Sequence, residues 1–79
     1  MSRLFDLDDI RMFTLAAQSG SLSGAAQELG VATSTVSRSL TRLERRLGLL
    51  LVRRRQRGLR LTDAGEEYFS SCGRALRTL

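Results

Sequence analysis

Residues 33–47, TSTVSRSLTRLERRL, hold the side chains best suited to recognition chemistry. Thr33, Ser34, Thr35 and Ser37 supply four hydroxyls within five positions, and Arg38, Arg42 and Arg45 follow as long cations. At a period of 3.6, Val36, Leu40, Leu43 and Leu47 form one stripe and Ser34, Arg38, Thr41, Arg42 and Arg45 form the opposite one. Short hydroxyls allow close backbone approach to a ligand, and guanidiniums reach further to phosphate oxygens. The chemistry implied is binding of a polyanion. One of Thr33 and Ser34 is expected to cap a helix here, but four hydroxyls exceed what a cap needs. Glu44 is not three or four positions from Arg38 or Arg45, so intrahelical pairing does not account for those arginines.

The charge distribution agrees. Residues 33–60 hold nine Arg against the single Glu44, a local charge of +8 in a chain whose total is +5. The remainder is slightly acidic, so the positive charge is one block, as an electrostatic footprint for a polyanion requires. All 13 basic residues are Arg. Codon usage accounts for part of that preference, and the planar fork of Arg also suits phosphate and the guanine edge.

Other chemistries find little support. With no His and one Cys, Cys72, the chain offers no Ser-His or Cys-His nucleophile pair and no zinc site of the usual kind. Asp8-Asp9 and Glu66-Glu67 read as acidic residues in opening helical turns, where the helix dipole favours them. Neither an enzyme nor a cofactor nor a metal is expected. Three Phe and one Tyr make no aromatic-basic alternation for single-strand binding. Cys72 reads as a small hydrophobe. Leu49-Leu50-Leu51-Val52 is the longest purely apolar run, too short to cross a bilayer, so no membrane partner is expected. With a lone Cys and no signal-like stretch, the expected compartment is cytoplasmic. A 79-residue chain is at most one small domain, and oligomerisation is the expected source of extra stability.

The positioning elements follow from periodicity and punctuation. Asp6 is a candidate N-cap for a first helix with a stripe of Leu7, Ile10, Phe13, Thr14 and Ala17, ending at Gly20. Ser21 or Ser23 opens a second helix with Leu22, Ala25, Ala26 and Leu29 inward, stopped by Gly30. Its paired alanines permit a close helix crossing. A short Gly30-Val31-Ala32 turn leads to a third helix at about 34–47, closed by Gly48, and the pair reads as a helix-turn-helix.

After Gly48, Leu49 to Val52 reads as a strand entering the core, Arg53 to Gly58 as a basic turn, and Leu59-Arg60-Leu61 as a second strand. Four arginines within residues 53–57 exceed what edge protection needs, which points to phosphate contact by this wing, residues 53–60. Arg54 is one candidate, and Arg57 beside Gly58 is the candidate for a minor groove. Thr62 reads as the N-cap of a fourth helix. Ala64, Tyr68, Cys72, Ala75 and Leu79 share its apolar face, flanked by Phe69 and Leu76 and still running at Leu79, so continuation into a further domain is expected.

The runs SGSLSGAAQELGVATSTVSRSLTRLERRLG and RGLRLTDAG closely resemble the N-terminal domain of LysR-type bacterial transcriptional regulators. The specific parts are Ala25-Ala26, Val36-Ser37-Arg38, Leu43-Glu44 with Leu47-Gly48, and Leu61-Thr62-x-Ala64-Gly65. The resemblance implies a mainly α winged helix-turn-helix over residues 1–61: a three-helix core, a two-stranded β wing and then, from residues 62–79, the start of a dimerising linker helix. An effector domain would follow. It implies sequence-specific binding of double-stranded promoter DNA by a homodimer on the bacterial nucleoid, with a small-molecule effector sensed only outside this chain. Carried over by position, Thr33, Ser34, Ser37 and Arg38 contact DNA and Arg57 enters the minor groove. Thr35, Arg42 and Arg54 join them on the basic face, and Tyr68, Cys72, Ala75, Leu76 and Leu79 form the dimerisation surface. Thr33 and Ser34 depart from the family's usual Gln or Ser and Pro, and Val52-Arg53 replaces a common Phe-Glu. The alternative from another class is a helical protein-interaction module with a solvated basic face. RNA binding is a third reading.

Overall fold

Capping chemistry sets most of the element boundaries. The structure is a computed structural model and describes residues 7–56 and 58–78, with side chains for 8–56 and 58–72. In chain order the elements are α1 (Leu7–Ser19), α2 (Leu22–Leu29), α3 (Thr33–Leu47), β1 (Val52–Arg54), β2 (Leu59–Leu61) and α4 (Asp63–Thr78). Ser21 Oγ accepts the Gly24 amide at 2.9 Å and caps α2. Gly30 and Gly48 end α2 and α3 in left-handed conformation. Thr62 Oγ1 accepts the Gly65 amide at 3.0 Å and caps α4. The first cap does not follow the sequence: α3 starts at Thr33, after an extended Ala32, and no side chain caps it. Thr33 and Ser34 lie inside the first turn, one and two residues too late to serve as the cap. Asp6, the candidate cap of α1, lies outside the described residues.

Helices α1, α2 and α3 pack around Phe13, Ala16, Ala25, Val36, Leu40 and Leu43, all fully buried. The α1 stripe is rotated from the predicted one, because Ala16 is buried and Ala17 only partly so. The buried Phe13 ring meets Tyr68 at 5.7 Å and Phe69 at 6.3 Å between centroids. These aromatic contacts tie α4 to α1.

The predicted strand over Leu49 to Val52 is shorter in fact. Leu49 and Leu50 are 49% and 64% exposed, and β1 begins at Val52. The connector instead satisfies its backbone with side chains. Glu44 Oε2 accepts the Leu51 and Val52 amides at 2.8 and 3.3 Å. Thr62 Oγ1 donates to the Leu50 carbonyl at 2.6 Å, and the Thr62 amide to the Leu51 carbonyl at 3.0 Å. Strands β1 and β2 then pair antiparallel, with Val52 opposite Leu61, Arg53 opposite Arg60 and Arg54 opposite Leu59. Gly65 lies directly against the Leu51 carbonyl, where any Cβ would overlap it.

One polar contact crosses the core. The Asp9 carboxylate on α1 is fully buried. Arg42 Nε donates to its Oδ2 at 2.9 Å, Arg42 Nη2 to its Oδ1 at 2.7 Å, and Ser39 Oγ to Oδ1 at 2.6 Å. Arg46 adds a charge at 3.8 Å. Burial pushes the Asp9 pKa up, but the bonds from Arg42 and Ser39 and the charges of Arg42 and Arg46 outweigh it, so the carboxyl titrates below its ordinary 3.8.

Two outcomes follow. Leu40→Ala removes a fully buried side chain and is expected to cost about 2–5 kcal/mol in urea unfolding. The depressed Asp9 pKa means its stabilisation is complete above the ordinary 3.8 and is lost as pH falls through the lower folded value. The stability gap between wild type and Asp9→Asn should therefore be widest at neutral pH and narrow below 3.8 in thermal melts taken at stepped pH.

Candidate nucleic-acid interface

The outer face of α3 is built as its two stripes require. Thr33 and Ser34 are exposed at its first turn, Thr35 and Ser37 are half-buried, and Arg38 is exposed one turn along. No side chain caps α3; the Thr35 amide turns back to the Ala32 carbonyl at 3.0 Å, and the helix dipole still favours an anion at this end. Ser37, Arg38, Thr41, Arg42, Arg45 and Arg46 line one shallow groove along the helix.

A second groove joins the wing to this face. Ser21, Ser23, Thr33, Arg54, Arg55 and Gly58 line it, so the first residue of α3 and two wing arginines share one depression. The wing is fixed there by backbone contact. The Leu59 amide donates to the Gly20 carbonyl at 3.0 Å, and the Arg55 amide to the Gly58 carbonyl at 2.9 Å. Gly58 has φ +90° and touches the Gly20 carbonyl, so only glycine fits on both counts. Across the wing, Arg53 and Arg60 stand directly opposite and both are exposed. Like charges in that register repel, a cost that an external polyanion offsets.

The remaining predicted residues fall differently. Arg54 is exposed, and Arg57 lies outside the described residues. The sequence predicts Arg42 as a cation open to phosphate, whereas its guanidinium is paired with buried Asp9. Cys72, expected on a dimer face, is 6% exposed within the single chain. Tyr68 is shared: its ring packs on Phe13, while it also lines a groove with Leu49 and Ala64. The side chains of Ala75 and Leu76, and all of Leu79, lie outside the described residues. Burial pushes the Tyr68 phenol up to about 12 and also raises the Cys72 thiol, so both are neutral at physiological pH.

Sequence reasoning missed Asp9, Ser39 and Glu44 as working residues. Ser39 carried a signal: it is three residues from Val36 and four from Leu43, a hydroxyl on the apolar side of α3 that needs a buried partner. Glu44 is the single acid of the basic block and takes up connector amides.

The model of the bacterial regulatory helix-turn-helix protein, lysR family, matches residues 7–66. The HTH-type transcriptional regulator CrgA of Neisseria meningitidis serogroup C is 40% identical over 72 residues, covering 91% of this chain and 24% of CrgA. The glycine cleavage system transcriptional activator of Escherichia coli K12 is 46% identical over 67 residues, covering 85% of this chain and 22% of the activator. The chain thus spans about a quarter of the length of these relatives. Among solved structures, the CbnR DNA-binding domain in complex with DNA superposes with a TM-score of 0.90 at 30% identity, covering 94% of this chain and 85% of that one. The BenM DNA-binding domain bound to catB site 1 DNA gives 0.89 at 27% identity, covering 94% and 82%. The four helices and antiparallel wing are those of a winged helix-turn-helix. On sequence and fold together, the chain belongs to the LysR family of bacterial regulatory helix-turn-helix proteins.

Proposed function

We propose that this chain is the double-stranded DNA-binding domain of a LysR-type transcriptional regulator. The observation that carries the reading is the continuity between the α3 face and the wing: Thr33 shares a groove with Arg54 and Arg55, and Ser37 and Arg38 follow on the same helix. The α3 face inserts into the major groove. Its hydroxyl end lies near the bases, and the arginines reach the phosphate walls. Thr33, Ser34, Thr35, Ser37 and Arg38 are the contacts on α3. Arg54 neutralises phosphate from the wing, and Arg57 is the residue for the minor groove. That the CbnR and BenM domains of the same fold are found in complex with DNA supports DNA as the ligand.

Residues 1–61 form the DNA-binding unit in this proposal, and residues 62–79 begin a linker helix that pairs two copies on a promoter operator. Tyr68, Ala75, Leu76 and Leu79 are its pairing residues. The greater length of the relatives supports a further domain, to which this proposal assigns the sensing of a small-molecule effector. The regulator works in the bacterial cytoplasm, on the nucleoid, and has no enzymatic role. No helix among the described residues is long and apolar enough to cross a membrane.

Anisotropy titrations of random-sequence duplex DNA at increasing salt test the reading. With about four phosphates neutralised per protomer, log K should fall against log salt with a slope of roughly −7 per dimer. A flat response rejects DNA binding, and preference for duplex RNA in competition rejects the DNA assignment. In sequence selection from a random duplex pool, Ser37→Ala should relax the selected consensus while leaving the salt slope in place.

A further inference from the structure

Asp9 is the only buried charged residue among the described residues, and both of its oxygens are engaged from α3. We propose that Asp9 is a positioning residue for the recognition helix, holding Arg42 against α1 and withholding that guanidinium from DNA phosphate. The inference rests on the DNA-binding reading above.

The Arg42 side chain is half exposed and lines the same groove as Arg38. By position alone it belongs with the phosphate contacts. Its guanidinium, however, meets the carboxylate through two bonds of 2.9 and 2.7 Å. Turning it to a phosphate would leave a buried carboxylate short of its main neutralising charge, a costly arrangement. A phosphate at the surface competes poorly with that. Arg38 lies one turn earlier, and no carboxylate contacts it among the described residues.

The pairing also supplies what the apolar face lacks. Val36, Leu40 and Leu43 hold α3 against the core, but such contacts tolerate small rolls and slides of a helix. A bidentate guanidinium-carboxylate pair is directional, and the Ser39 hydroxyl adds a third fixed bond. Roll and height of α3 decide where Ser34, Ser37 and Arg38 stand over the base edges. Asp9 thus exchanges one non-specific contact for a defined pose of the reading face.

The test is the salt slope of binding to random-sequence duplex DNA for wild type, Arg38→Ala, Arg42→Ala and Asp9→Asn, each first checked for cooperative melting. Arg38→Ala should flatten the slope by about 0.9 per protomer. Arg42→Ala should leave the slope at the wild-type value, and Asp9→Asn should steepen it by about 0.9 per protomer as Arg42 is released. A merely structural role for the pair would lower affinity without steepening the slope. Flattening by Arg42→Ala equal to that by Arg38→Ala overturns the inference, as does an unchanged slope in a folded Asp9→Asn. Should Asp9→Asn not fold, the Arg42→Ala arm decides alone. A flat wild-type response overturns the DNA-binding reading and this inference with it, whereas a steep wild-type slope with either contrary variant result overturns the inference only.

Discussion

A carboxylate sealed inside a small protein must be neutralised where it stands, and among the described residues the groups that meet it come from one helix. Asp9 has no exposed surface, and Ser39, Arg42 and Arg46 approach it from α3. That requirement sets which side of α3 faces α1. Once that side is committed, the hydroxyls and Arg38 on the other side are presented outward. The inner apolar stripe supplies most of the burial, and the polar pair supplies the orientation. Neither does the work of the other.

The wing depends on a different principle. Its strands are three residues each, too short to be stable alone. They are held by groups outside the sheet: Glu44 on the approach, Thr62 on the exit and the Gly20 carbonyl at the tip side. A hairpin whose sequence carries five arginines from Arg53 to Arg60 has little apolar surface with which to hold itself. Val52 and Leu59 turn inward to the core, and the backbone is anchored to α3, to the turn after α1 and to Thr62 ahead of α4, which leaves the outward positions to charge.

Legibility followed the physics. Helix stops at Gly30 and Gly48, the caps at Ser21 and Thr62, and the inward stripe of α3 were readable because each is set by residues close in sequence. The two-stranded wing was readable from charge and alternation. The cap of α3 was misplaced because Ala32 carries no signal of its own, and two hydroxyls next to it do. Leu49 and Leu50 suggested a buried strand because apolarity does not reveal that Glu44 and Thr62 have already claimed the local backbone. The pair of Asp9 with Arg42 joins residues 33 positions apart, and no periodic pattern connects them.

The contact between Gly65 and the Leu51 carbonyl has a mechanical meaning. Backbone there rests on backbone, with no side chain between to flex and absorb displacement. Thr62 bonds the same connector from the start of α4. The start of the long helix and the residue that leads into the arginine-bearing hairpin are therefore seated on one another with no compliant layer between them, so neither can shift without displacing its neighbour.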